Sequence, residues 1–161
     1  MKARRLALLC NALIVTCAMT LGPAALADTD ACTVLTTAQV STAIGMPVGA
    51  GTHVTPTFVK TCTWNPSSSS EVSAVTLYLQ TVAAYDGGKH MASLMAAGSK
   101  DASVQPVAVG DDAYYFIAGD QVGLLVKKGS ASFKATVYAR LPVGKKQAME
   151  LALARAALAK L

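Results

Sequence analysis

Histidine, aromatic residues and charged residues are all scarce in this sequence. The chain has two histidines, an aromatic content of 6% and a charged content of 14%. Hydrolysis by a Ser or Cys nucleophile usually needs a neighbouring histidine, and zinc needs three or four Cys, His or carboxylate ligands. His53 and His90 are too few to build such sites, and no Gly-x-Ser-x-Gly elbow or glycine-rich phosphate loop is present. We therefore predict no catalytic residues, no metal site and no cofactor.

The first 27 residues have the pattern of a secretory signal peptide. Lysine and arginine near the start precede an apolar run over residues 6–21, and small residues lead up to Ala27. We predict cleavage between Ala27 and Asp28, which leaves residues 28–161 as a single domain in the periplasm or outside the cell. The alternatives are a segment retained as a membrane anchor and a lipoprotein modified at Cys17.

Neither sign of charge predominates once this segment is set aside. The whole chain has 14 Lys and Arg against 9 Asp and Glu, a formal net charge of +5. Three of the basic residues lie within residues 1–27, so the predicted mature chain keeps 11 basic and 9 acidic residues, a net charge of +2. A nucleic-acid-binding domain has clustered Lys and Arg and a strongly basic surface. We predict no nucleic-acid partner, and no stable membrane insertion after cleavage.

Two cysteines remain in the predicted mature chain, Cys32 and Cys62. Two thiols in an oxidising compartment favour one disulfide. Their wide spacing lacks the Cys-x-x-Cys character of a metal or redox pair. A structural bridge between them should stabilise the fold by roughly 3–4 kcal/mol in the chain-entropy model.

The first helix has the clearest local signals. Thr36 and Gln39 have the spacing of a capping box, so the helix should begin after Thr36. Gly45 can end it in a left-handed conformation, and Pro47 prevents its continuation. We expect a short helix between these boundaries.

The remaining elements follow from alternation and turn residues. Strands are expected over residues 58–64 and 75–80, and three or four more form a meander over residues 104–139. Pro142 is expected to open the last helix, whose apolar stripe is Leu151, Ala154, Leu158 and Leu161. The predicted fold is α+β, with an antiparallel sheet of about five to six strands and three helices packed on it in two layers.

The second helix, expected over about residues 84–97, contains two methionines. Met91, Leu94 and Met95 have i, i+3, i+4 spacing, which predicts a stripe facing the core. Together with His90, the methionines also suggest a copper(I) site, because thioethers suit this ion. We favour the core interpretation.

Two adjacent carboxylates, Asp111 and Asp112, follow Gly110. They suggest a cation loop or half of a catalytic pair, but calcium needs six to eight oxygen ligands and no second acidic cluster accompanies them. We favour a Gly-Asp turn that leads into the strand beginning near Ala113.

Three tyrosines give the chain a candidate binding surface. If the apolar residues of their strands face the helices, then Tyr78 and Tyr138 face away, and Tyr114 is a further candidate. Tyrosine combines apolar area with a polar tip, which suits contacts with a protein or glycan.

Four short segments resemble an uncharacterised family of secreted domains typified by actinobacterial cell-envelope lipoproteins. The segments are Ala-Cys-Thr-Val-Leu-Thr at residues 31–36, Ile-Gly at 44–45, Cys-Thr-Trp at 62–64 and Gly-Asp-Asp-Ala at 110–113. The resemblance implies a Cys32–Cys62 disulfide, a helix pinned to a strand and an envelope location. It implies no catalytic residue. The chain departs from the lipoprotein pattern, since Cys32 follows the cleavage site by several residues.

These features favour an exported domain that binds an envelope or periplasmic protein, glycan or small ligand without chemical turnover. One alternative is an inhibitor or protective partner of another secreted protein. The other is an enzyme that uses Asp111, Asp112 or His90.

The processing prediction is testable by intact mass. Protein isolated from the producing cell should begin at Asp28 and should be two hydrogens lighter than its reduced form. A chain that still begins at Met1 with two reactive thiols would contradict both the export and the disulfide predictions.

Overall fold

The structure, a computed structural model, describes residues 29–68 and 71–161. The predicted signal peptide, its cleavage site and two serines of the polar turn lie outside the described residues. A 3-10 turn at Ala31–Thr33 comes first. The helices are α1 (Thr37–Ile44), α2 (Val82–Gly98) and α3 (Val143–Leu158). The strands are β1 (Thr52–His53), β2 (Thr61–Trp64), β3 (Val72–Gln80), β4 (Ala102–Pro106), β5 (Asp112–Ala118), β6 (Gln121–Lys128) and β7 (Ala131–Ala139).

The strands form one antiparallel sheet in the order β1-β2-β3-β7-β6-β5-β4. This confirms the predicted α+β class, with seven strands instead of five or six. The two-residue β1 is too short to show an alternating pattern in the sequence. The strand expected from Phe58 begins only at Thr61, because residues 59–60 form a turn.

The sheet is joined at its centre by β3 and β7, which are far apart in sequence. Their pairing extends from Val72 opposite Ala139 to Gln80 opposite Ser132. Because β3 pairs with β7, the next strand along the chain, β4, lies at the far edge of the sheet. Helix α2 therefore has to cross the sheet to connect β3 to β4.

The three helices lie on two different faces of the sheet. Helix α3 packs against β6, β7 and α1 over the main core. Helix α2 packs on the other face, where Tyr85 and Ala92 form a second cluster with Tyr114 and Leu125. Adjacent strand residues point to opposite faces, and Tyr115 accordingly belongs to the main core. The two-layer prediction was therefore wrong, and the sheet is the middle of three layers.

The predicted apolar stripe of α2 was also wrong. Met91, Leu94 and Met95 are 56%, 54% and 49% exposed. The buried line runs instead through Tyr85 and Ala92, which lie seven residues and about two turns apart. The small Gly88 lies between them, and a Cβ there would be 3.6 Å from the Tyr114 hydroxyl oxygen. Small residues thus let α2 approach the aromatic side chains of the sheet.

The signals of the first helix are confirmed. The Gln39 N–H donates to the Thr36 hydroxyl oxygen at 3.2 Å, and the Thr36 N–H donates to the Gln39 side chain at 2.8 Å. Gly45 ends the helix with φ of +73°. This conformation favours glycine because it has no Cβ.

The disulfide is confirmed between Cys32 and Cys62, with a Cα–Cα distance of 4.9 Å. It ties the 3-10 turn to β2. The chain passes close to it at Gly51, where a Cβ would lie 2.6 Å from the Cys62 sulfur and 2.7 Å from Trp64 Nε1. This close approach requires glycine at position 51.

Helix α3 has a buried face that apolar periodicity did not predict. Pro142 is its N-cap instead of its first residue, and of the predicted stripe only Ala154 is fully buried. The buried residues of α3 are Lys146, Glu150, Leu153, Ala154 and Ala157. Two of them, Lys146 and Glu150, are ionisable, so apolar periodicity does not reveal them.

Lys146 and Glu150 form hydrogen bonds where β6 and β7 separate. Strand pairing between β6 and β7 ends at Leu124 and Ala135. Two residues further along β7, the Val137 N–H donates to Glu150 Oε1 at 3.0 Å. Lys146, one turn earlier on α3, donates to the carbonyl oxygen of Asp120 in the β5–β6 turn. Side chains of α3 thus replace strand partners at this end of the sheet.

Within residues 29–68 and 71–161, none of the helices has the length and apolar character that a bilayer crossing requires.

The buried Glu150 predicts a pH dependence of stability. Burial raises the pKa of Glu150 to about 8, although the Val137 N–H and the charges of Lys134 and Lys146 lower it. In the unfolded chain the carboxyl ionises near its ordinary pKa of 4.5. As pH rises from 4.5 towards 8, the unfolded chain therefore loses this proton before the folded chain does. The carboxyl therefore contributes its full stabilisation below pH 4.5. This contribution to the free energy of unfolding is lost progressively as the pH rises to about 8.

Glu150→Gln removes this titration while keeping an acceptor for the Val137 N–H. Denaturant unfolding at several pH values should show wild-type stability falling relative to the variant by about 1 kcal/mol per pH unit. Other titrating groups are common to both proteins, so the difference isolates Glu150. A difference that stays constant from pH 5 to pH 8 would contradict the buried, protonated carboxyl.

Candidate binding face

Helix α2 covers only part of its face of the sheet. It packs chiefly on β4, with further contacts to β6 and β7, and its buried cluster lies over β5 and β6. The even-numbered residues of β7, and those of β3 from Ala74 onward, point to this same face, since Lys134 is paired with both Tyr78 of β3 and Leu125 of the α2 cluster. We call the part formed by β2, β3 and β7 the open face.

Tyr78 and Tyr138 are both exposed on the open face, by 37% and 43%. Tyr78 of β3 is paired with Lys134 of β7, and Tyr138 lies four residues further along β7. At the usual rise of a strand, this separates the two tyrosines by roughly 13 Å along the sheet. The structure therefore places both predicted tyrosines on one surface.

Phe58 extends the aromatic surface at one end. Its ring stacks on Tyr78 with centroids 6.3 Å apart and an interplanar angle of 23°. Phe58 is 45% exposed and lies just before β2. Sequence reasoning placed Phe58 in a strand and did not connect it with Tyr78, because the contact depends on the pairing of β2 with β3.

Threonines occupy the row between the two tyrosines. The strand registers place Thr52, Thr63, Thr76 and Thr136 opposite one another across β1, β2, β3 and β7. Neighbouring strands lie about 4.8 Å apart, so methyl and hydroxyl groups repeat at that spacing. Thr136 is buried, so the row offers apolar contact area and hydrogen-bonding groups on β1, β2 and β3.

Lys134 continues this surface towards β6. A Cβ at Gly123 would lie 2.6 Å from Lys134 Cε and 3.3 Å from Thr136 Oγ1. The lysine side chain therefore occupies space that a larger residue at position 123 would take. Its ammonium group gives the open face a positive charge on the side next to β6.

A recess of about 590 Å³ adjoins Tyr138. It lies at the end of the sheet where β6 and β7 separate, and its lining carries both acidic and basic groups. The lining residues are Glu71, Ser73, Asp120, Gln121, Tyr138, Ala139 and Arg140. The open face thus has an aromatic end at Phe58 and a charged recess at Tyr138.

Tyr114, the third predicted tyrosine, is buried and does not belong to the open face. It is 1% exposed beneath α2, with its ring 5.5 Å from that of Tyr85 in an edge contact. Burial raises the pKa of Tyr114 to about 12. Strand alternation put Tyr114 on the same face as Tyr78, but the sequence did not reveal that α2 covers it.

The carboxylates of Asp111 and Asp112 bond to neighbouring elements. Asp111 accepts from the Gly129 N–H at 2.6 Å and from Lys128 at 3.1 Å. Asp112 accepts from Lys89 of α2 through both oxygens, at 2.7 and 2.8 Å. These hydrogen bonds hold the pKa of both carboxyls below the usual range. The contacts support the interpretation of a structural turn.

The two histidines lie in different environments. His53 of β1 is half-buried, and its Nε2 lies 2.8 Å from Asp30 Oδ1. His90 is exposed on α2 beside Met91. His53 is therefore engaged with a carboxylate.

Comparison of the chain with family models, curated proteins and solved structures finds no match.

The structural role of the Gly110 turn can be tested with two glycine variants. Gly110 and Gly119 have φ of +67° and +60°, so alanine is strained at both. A Cβ at Gly110 would lie 2.6 Å from the Lys127 carbonyl oxygen, whereas Gly119 has open space. Gly119→Ala should lower the free energy of unfolding by about 1 kcal/mol, and Gly110→Ala by at least about 1 kcal/mol more.

Chemical denaturation of both variants measures this difference. Equal destabilisation would contradict the close packing of the turn against β6.

Proposed function

We propose that this protein is an exported, non-catalytic binding protein whose recognition surface is the open face. The observation that carries this proposal is the joint exposure of Phe58, Tyr78 and Tyr138 on a part of the sheet that α2 leaves uncovered. Exposed tyrosine and phenylalanine are typical of binding surfaces, because they bury large areas with few rotatable bonds. The ligand is an envelope or periplasmic component.

Export is supported by two features of the chain. The N-terminal pattern is that of a signal peptide, and the mature chain keeps two cysteines that form a disulfide. The resemblance to secreted envelope domains agrees with both. An oxidising compartment would stabilise the crosslink between the 3-10 turn and β2.

The composition of the open face favours binding over chemistry. Its accessible residues offer aromatic rings, the hydroxyls of Thr63 and Thr76 and the Lys134 ammonium, none of which is paired with a general base in the described contacts. Asp111 and Asp112, which had suggested an active site, bond instead to Lys128, Gly129 and Lys89. These contacts support a structural role for the carboxylates.

The aromatic and hydroxyl groups of the open face also indicate which type of ligand it suits. Aromatic rings about 13 Å apart, with a threonine row between them, suit an extended ligand that has both apolar and hydrogen-bonding groups. A glycan chain and an extended protein segment both have this character. The near-neutral predicted mature chain gives little electrostatic attraction for a highly charged polymer.

A double variant tests the open face. Tyr78→Ala with Tyr138→Ala should reduce the amount of protein that associates with envelope preparations by about tenfold, because interface tyrosines commonly contribute more than 1 kcal/mol each. The matched control is Met91→Ala with Leu94→Ala, which removes exposed apolar side chains from α2 instead. Sedimentation of purified protein with envelope fragments measures the effect.

Unchanged association of the tyrosine variant would contradict the proposal. An equal loss in both double variants would also contradict it, since it would show nonspecific apolar adsorption. Circular dichroism of each variant establishes that the fold is retained.

A further inference from the structure

Three side chains with metal-binding atoms meet at the disulfide. One ligand atom from each of Asp30, Cys32 and His53 lies within 4.8 Å of the others. Cys62 joins them because its sulfur is bonded to that of Cys32. The predictions from sequence treated His53 and the cysteines separately and did not find this cluster.

Backbone structure holds each member in place. His53 of β1 lies directly opposite Cys62 of β2 in the strand register. Asp30 precedes the 3-10 turn, and its Oδ1 accepts from the Cys32 N–H at 2.7 Å. The same oxygen lies 2.8 Å from His53 Nε2. The cluster is therefore positioned by strand pairing and a cap as well as by the disulfide.

In the oxidised protein this cluster lacks thiolate ligands, because both sulfurs are used in the S–S bond. A dithiol reductant changes this by supplying two electrons and two protons. The S–S bond breaks, Cys32 and Cys62 become thiols, and the reductant closes to its own disulfide. Cys62 is fully buried and Cys32 is half-buried.

We propose that reduction of the Cys32–Cys62 disulfide creates a Zn²⁺ site whose ligands are both thiolates, the His53 imidazole and the Asp30 carboxylate. Zn²⁺ displaces one proton from each thiol when it binds. Two sulfurs, one nitrogen and one oxygen make up a four-ligand set of the types that zinc takes in tetrahedral sites. The ligand atoms of Asp30, Cys32 and His53 already lie within 4.8 Å of one another, and opening of the S–S bond frees the Cys62 sulfur to move towards them.

The consequence is an exchange of one crosslink for another. The metal would join the 3-10 turn to β1 and β2 in the reduced protein, as the disulfide does in the oxidised protein. Metal binding to the folded state stabilises it by linkage. The N-terminal corner would then keep its structure in both redox states.

Cobalt(II) is a suitable probe because thiolate coordination gives it strong near-ultraviolet absorption. The experiment uses the full chain with Cys10→Ser and Cys17→Ser, so that only Cys32 and Cys62 supply thiols. The protein is reduced with a dithiol, freed of reductant without oxygen and titrated with Co²⁺, and Zn²⁺ is then added. We expect thiolate–cobalt absorption at one equivalent, its loss on adding Zn²⁺ and no absorption from the oxidised protein.

Two variants assign the other ligands, and a third serves as the control. His53→Ala and Asp30→Asn should each weaken cobalt binding by about tenfold or more. Asp30→Asn keeps an oxygen that can accept from the Cys32 N–H, so the cap is retained. His90→Ala, which removes the exposed histidine of α2, is the matched control and should leave binding unchanged.

Several outcomes would overturn the proposal. One is the absence of thiolate–cobalt absorption in the reduced protein. Another is equal affinity in the His53→Ala variant, which would show adventitious binding to two thiols only. A third is unfolding on reduction that metal does not reverse, measured by circular dichroism, since the site requires the pairing of β1 with β2. None of these outcomes depends on the open face.

Discussion

The pairing of β3 with β7 is the constraint on which the rest of the structure depends. It joins the N-terminal strands β1 to β3 to the meander of β4 to β7 in a single sheet. Because β7 takes the position beside β3, the chain reaches β4 only by crossing the sheet as α2. The N-terminal strands therefore share one sheet with the meander and are joined to it by the last strand of the chain.

This topology explains why one face of the sheet is filled and the other is partly open. Helices α1 and α3 cover the apolar side of the sheet, where Trp64, Leu77, Leu124 and Phe133 are buried. A single crossing helix is too narrow to cover seven strands on the opposite side, since a helix is about 10–12 Å wide. The residues that remain uncovered include Tyr78 and Tyr138, so the candidate binding face follows from strand order.

Local signals in the sequence predicted the elements better than their arrangement. The capping box at Thr36 and the alternation in β3 and β7 depend on neighbouring residues, and both were predicted correctly. The burial of Tyr114 and the exposure of Met91 depend on which face α2 covers, which follows from long-range strand order. The buried Lys146 and Glu150 were missed because charged residues normally lie at the surface. The contact of Phe58 with Tyr78 likewise required the register between β2 and β3.

Tyrosine labelling tests most directly where α2 lies on the sheet and which part of the sheet it leaves open. The chain has five tyrosines, and they differ in how far other elements cover them. Brief nitration of the folded protein, followed by peptide mass spectrometry, measures the rate at each ring. We expect rapid modification of the exposed Tyr78 and Tyr138, and protection of the buried Tyr85, Tyr114 and Tyr115. Modification of Tyr114 as fast as Tyr78 would contradict both the position of α2 and the open face.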